Sequence, residues 1–87
     1  MDSSYSNSDH LAMATSSDNK FISSFGVRLR TLRKARGFSQ EAFADISGLD
    51  RSYVGGVERG ERNVSLLNIK KFADALGISV EELFQGL

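Results

Sequence analysis

Arg51, Ser52 and Tyr53 stand in a row at the start of a short segment, Asp50 to Arg59, that follows a glycine at position 48. A guanidinium carries N–H donors in a fixed fork that matches the O6 and N7 acceptors on the edge of guanine. Ser52 can donate to or accept from either kind of base edge. Tyr53 can bond a phosphate, pack on a thymine methyl, or simply plug the edge of a core. Gln40 opens the preceding segment, where a side-chain amide and free helix-start N–H groups together can bind phosphate. Arg62 and Asn63, just past Gly60, can reach phosphates or an adjoining groove. What these residues assemble is hydrogen-bond recognition of duplex DNA, which needs no nucleophile and no metal.

Such donors work only if helices hold them. Residues 39–60 read as two short helices joined by a tight glycine turn, and a helix set steeply beyond such a turn can enter the major groove. Ser39 caps the first of the pair, with Glu41 placed well against its dipole. Ala42, Phe43 and Ile46 are expected on its inner face, Ala44 offers close approach, and Gly48 closes it. The recognition helix, residues 50–59, starts at a capping Asp50, turns Val54 and Val57 inward and stops at Gly60. Gly55 and Gly56 inside it each cost about 1 kcal/mol relative to alanine. They allow close approach of the helix backbone to DNA, or bending on binding; drift at a tolerant position would leave the same sequence. With no side chain there, specificity would rest on Arg51, Ser52 and DNA shape.

Around this pair, Phe21, Phe25, Leu29 and Leu32 recur at spacings of three and four, predicting a first helix with Asp18 or Asn19 as its cap and Gly37 as its stop. Ser65 caps a fourth helix whose apolar stripe is Leu66, Ile69, Phe72, Ala73 and Leu76, ended by Gly77. Ser79-Val80-Glu81-Glu82 is a capping box opening a last short helix through Leu83 and Phe84. No alternating apolar run argues for a sheet. The fold class expected is all-α, a five-helix domain over residues 19–87, preceded by a polar tail, residues 1–18, too poor in apolar groups to order itself.

Composition sets the outer limits. The chain has 87 residues, no cysteine and a single histidine, His10, in the polar tail. Disulfides and cysteine-based zinc sites are excluded, and neither a metal nor a cofactor is expected. There is no cysteine nucleophile and no Gly-x-x-x-x-Gly-Lys phosphate loop, so the expectation is a protein that is not an enzyme. No secretory pattern is visible and no apolar run approaches the roughly 20 residues that span a bilayer. A cytoplasmic, nucleoid-associated protein is expected. Formal net charge is zero, which argues against indiscriminate binding to nucleic acid. Arg28, Arg30, Arg33, Lys34 and Arg36 crowd the first helix, a pattern shared by phosphate-binding and plain solvated faces. A domain this small buries little surface, and a partner subunit would supply stability. Val80, Leu83, Phe84, Leu87 and Leu67 are more apolar surface than the monomer needs, giving a dimerisation region over residues 66–87. A dimer would set two recognition helices roughly 34 Å apart and demand a pseudo-palindromic site.

Residues 25–84 resemble the phage repressor/Cro-type (XRE-like) helix-turn-helix family. The features are Arg28-Leu29-Arg30-x-Leu32-Arg33, Gly37-Phe38-Ser39-Gln40-Glu41, Ser47-Gly48-Leu49 and Val57-Glu58-Arg59-Gly60. The tract from Leu49 to Leu66 is similar, more narrowly, to the controller proteins of restriction–modification systems. The resemblance implies DNA contacts by Gln40, Arg51, Ser52, Tyr53 and Arg62, and a partly buried ion pair of Arg33 with Glu58 that fixes the angle of the recognition helix. It implies a homodimeric transcription regulator on an operator upstream of its own and an endonuclease gene. Activation there would add RNA polymerase as a partner. A phage- or plasmid-type repressor or an antitoxin would share this chemistry, and a helical interaction module without DNA binding would share the fold alone.

Overall fold

The computed structural model describes residues 15–87, which form five helices. They are α1 (Ser16–Ala35), α2 (Gln40–Ser47), α3 (Arg51–Glu58), α4 (Leu66–Leu76) and α5 (Val80–Leu83). No strand occurs among the described residues, so the all-α expectation holds.

Local chemistry sets most boundaries. Ser39, Ser65 and Ser79 each accept a hydrogen bond from the backbone N–H three residues on, and Glu82 returns the bond to Ser79 as a full capping box. Gly48 and Gly77 close α2 and α4 in the left-handed conformation, with φ of 73° and 72°. The start of α1 differs from expectation. Its cap is Thr15, and Asp18 is the third helical residue, its carboxylate accepting from the Thr15 N–H while the Thr15 hydroxyl accepts from the Asp18 N–H. The Thr-x-x-Asp box starts the helix a turn earlier than Asp18 or Asn19 would, so residues 16–18 belong to α1 rather than to the tail. The expected disorder of the tail otherwise falls on residues 1–14, outside the described residues.

Phe43, Phe72, Leu29, Leu83, Val54 and Val57 are the largest fully buried side chains, joined by Phe25 and Leu76. Phe43 and Phe72 stack with ring centroids 5.7 Å apart, tying α2 to α4. Two expectations about inner faces fail. Ile46 is 53% exposed, because the face that meets the core is centred on Phe43, Ala44 and Ser47, about a quarter turn away. Ser47 can sit inside because its hydroxyl donates to the Phe43 carbonyl at 2.8 Å. Leu66, in the first turn of α4, is 80% exposed, so the buried stripe there narrows to Phe72, Ala73 and Leu76.

The basic cluster of α1 is largely structural. Arg28 donates to the carbonyl oxygens of Glu82 and Leu83 at 2.8 and 3.2 Å, and Arg36 donates to that of Leu76 at 2.8 Å. Each guanidinium thereby satisfies carbonyls at the end of a helix, which would otherwise lack partners. Neither of the two meanings open to the charge pattern covers this one.

Candidate nucleic-acid interface

Whatever α3 presents outward depends on what fixes it inward. Gly26 lies buried in the middle of α1 where that helix crosses the end of α3. A methyl group there would collide with the Val57 carbonyl oxygen and lie 2.8 Å from that of Glu58. Backbone therefore meets backbone at this crossing, and only glycine permits it. Two turns further on, Arg33 Nε and Nη2 donate to the two carboxylate oxygens of Glu58 at 2.6 and 3.0 Å. The pair is bidentate and almost wholly buried, with the side chains 8% and 3% exposed. Its Glu58 hydrogen bond holds the Arg33 guanidinium above its ordinary pKa, although burial opposes this. Arg33 Nη1 also donates to the Phe38 carbonyl oxygen at 2.7 Å, in the link between α1 and α2.

Gln40, the first residue of α2, completes this network: its Nε2 donates to Glu58 Oε1 at 3.0 Å. The amide is thus tied to the ion pair and keeps one further N–H, while the Ala42 N–H at the helix start is taken by the Ser39 hydroxyl. No buried side-chain nitrogen or oxygen lacks a partner among the described residues, as a buried charged network requires.

Arg51 and Ser52 are exposed at the start of α3, and neither side chain enters a hydrogen bond or ion pair among the described residues. Asp50 is the N-cap by backbone conformation but makes no side-chain capping bond. Tyr53 is half-buried. Its ring stacks on Phe72 at 6.5 Å and its hydroxyl accepts from Asn68 Nδ2 at 3.1 Å, so the ring plugs the core edge and only the hydroxyl hydrogen remains to offer a phosphate. Arg62 and Asn63 are exposed in the loop after α3, the Arg62 guanidinium lying 5.8 Å from the Tyr53 ring centroid.

The structure supplies a reason for the two glycines that sequence left open. A methyl at Gly55 would lie 3.1 Å from Arg59 Nη1 and 3.6 Å from Gln40 Oε1; one at Gly56 would lie 3.3 Å from Arg62 Nε. Side chains from elsewhere occupy the space these positions give up. Arg59 itself pairs with Glu61, Nε to Oε2 at 3.0 Å and Nη2 to Oε1 at 3.1 Å. Those hydrogen bonds keep Glu61 below the usual carboxylate range, aided by the charges of Arg59 and Arg62. Sequence reasoning missed Gly26, Arg59 and Asn68. A lone glycine in the middle of an otherwise strong helix was the available signal for Gly26.

Among the residues expected at a dimer interface, Leu67 and Leu87 are 65% and 43% exposed. Val80 and Phe84 are half-buried against the core, Phe84 stacking on Phe25 at 5.2 Å and on Phe21 at 6.3 Å. Leu83 is fully buried and belongs to the core, because the last helix closes the bundle with it.

Residues 29–83 match the HTH_3 helix-turn-helix family. A control protein of Mycoplasma, C.MunI, is 47% identical over 64 residues, 72% of this chain and 86% of its own length. The crystal structure of the restriction–modification controller protein C.AhdI from Aeromonas hydrophila superposes with a TM-score of 0.74 at 64% identity, covering 76% of this chain and 96% of that one. The immunity repressor of Bacillus phage phi105 is 38% identical over 58 residues, but these make up 40% of its length. The chain belongs to the HTH_3, XRE-like family of helix-turn-helix transcription regulators and is closely related to the control proteins of restriction–modification systems.

Proposed function

We propose that this protein is a restriction–modification controller that binds a pseudo-palindromic operator as a homodimer, with α3 in the major groove. The observation that carries the reading is the state of α3: locked from behind by Gly26 and the Arg33–Glu58 pair, with Arg51 and Ser52 free at its leading end. Arg51 contacts a guanine edge, Ser52 an adjacent base edge, and Gln40, Tyr53, Arg62 and Asn63 the backbone and adjoining groove. Arg33 and Glu58 serve as the structural ion pair that sets the helix angle without touching DNA.

Dimerisation is assigned to Leu67, Val80, Phe84 and Leu87. Its support is the exposure of Leu67 and Leu87 together with the likeness to C.AhdI over nearly all of that chain's length. A cytoplasmic, nucleoid-associated location and contact with RNA polymerase follow from the same regulator reading. The phage-type repressor is the weaker alternative, since the phi105 repressor is matched over less than half its length.

Selection of bound sites from a random duplex library near physiological salt tests this directly. The expected result is a two-fold motif with half-sites about one helical turn apart. A single asymmetric half-site would remove the dimer, and no enriched motif would leave a helical interaction module.

A further inference from the structure

At about 100° of rotation per residue, Val54, Val57 and Glu58 turn toward the core, and Ser52, Gly55, Gly56 and Arg59 make up the opposite stripe of α3. Residues on that stripe should be open, yet Gly55 and Gly56 are buried. What lies against Gly55 is the Arg59 guanidinium, folded back along the helix so that Nη1 is 3.1 Å from where a Cβ at 55 would stand, with the Gln40 amide oxygen 3.6 Å from that point. Helical side chains lean toward the N-terminus, so this is the direction in which Arg59 naturally runs.

Glu61 holds the guanidinium there by its Nε and Nη2 edge. The far edge, Nη1 with the second hydrogen of Nη2, has no acceptor among the described residues. Those two donors point the same way, as the fork that matches guanine O6 and N7 does. Glu61 itself makes a poor neighbour for phosphates, being a carboxylate that its arginine partner keeps ionised. A free Arg at the rim would suit a phosphate; an Arg fixed by a carboxylate over the middle of the stripe suits a base.

We infer that Arg59 is a second base-reading residue, presenting its free edge to a guanine across the bare backbone of Gly55, and that Glu61 is the positioning residue that aims it. The inference rests on the reading of α3 as the recognition helix. Gly55 lies one turn, about 6 Å, beyond Arg51 along the helix, so the guanine sits within about two base-pair steps of the Arg51 contact. The glycine pair then acts by omission, since any side chain at 55 would occupy the slot that Arg59 fills.

The test compares duplex selections by the wild type, Arg59→Gln and Glu61→Gln, followed by titration of the enriched duplex with single guanines replaced by 7-deazaguanine, which lacks the N7 acceptor. The side chains of Arg59 and Glu61 are 61% and 58% exposed, so both variants keep the fold. The expected result is that Arg59→Gln loses one guanine position of the half-site, by roughly tenfold in discrimination, and keeps the rest. One deaza substitution should weaken the wild type and leave Arg59→Gln unaffected. Glu61→Gln should bind unrelated duplex more tightly, having one anion fewer, while losing preference at that same position. A variant Arg59→Gln that retains every motif position and weakens all duplexes alike would overturn base reading in favour of a phosphate contact. A wild type that enriches no motif would bring down the operator reading as well, which separates the two failures.

Discussion

The two sides of α3 both depend on glycine, and for opposite reasons. On the inner side Gly26 of α1 removes a side chain so that backbone can touch backbone at the Val57 and Glu58 carbonyls. On the outer side Gly55 and Gly56 of α3 remove side chains so that arginine and glutamine ends from other positions can lie there. The inner contact cannot yield without moving a helix. The outer one is made with flexible side-chain ends that can shift by tenths of an ångström. A buried glycine thus marks a constraint on the fold in one place and a surface feature in the other, and its neighbours tell which.

The sharpest way to break the inner side is Arg33→Ala. It leaves the Glu58 carboxylate buried with only Gln40 as donor, and losing one member of a buried pair costs about 3–5 kcal/mol. Urea unfolding should show a large drop in midpoint, and DNA affinity should fall although the Arg33 side chain is almost wholly buried. Replacing both partners by apolar residues should recover most of the stability while leaving α3 less firmly oriented. A second blow to the same side is Gly26→Ala, where the added methyl meets carbonyl oxygens of α3 and must push the helices apart. Overpacking of this kind costs about 1–3 kcal/mol, readable from the same unfolding curve. An unchanged midpoint would mean that the crossing has slack which the geometry does not suggest.

The order of helices, their serine caps and glycine stops, and the course of α3 were all legible in the sequence, because each rests on local hydrogen bonds and on spacings of three and four residues. Arg51 and Ser52 were legible as outward groups for the same reason. What escaped was set by tertiary packing. Gly26 means nothing until α3 is known to cross α1 at that turn. The inward roles of Arg28 and Arg36 depend on where α4 and α5 end in space. For Tyr53 the sequence left a DNA contact and a plug at the core edge both open, and the stack on Phe72 and the bond from Asn68 show how much of it is packing. Ile46 and Leu66 illustrate the converse: apolar type alone does not decide burial when a helix turns a different stripe to the core.

On the outer side the expected effects are smaller and shift from stability to binding. Arg51→Ala should leave unfolding unchanged, since the side chain is exposed and has no hydrogen-bond or ion-pair partner among the described residues. It should weaken operator binding by about 1–3 kcal/mol, with preference relaxed at one base position. Equal loss on every sequence would move Arg51 from base to backbone.

The smallest change is the most diagnostic of the contrast between the two sides. Gly55→Ala adds a methyl that meets only the ends of Arg59 and Gln40, side chains able to swing aside. The helix gains up to about 1 kcal/mol from the better propensity of alanine, so thermal and urea midpoints should rise slightly. The same methyl, 3.1 Å from Arg59 Nη1, pushes the guanidinium off its present line by a few tenths of an ångström, so sequence discrimination should fall in a protein that has become more stable. Gly26→Ala, the identical chemical change on the inner side, should do the reverse to stability. If both substitutions destabilised alike, α3 would be as tightly gripped in front as behind, and the outer glycines would be part of the fold rather than of what it presents to DNA.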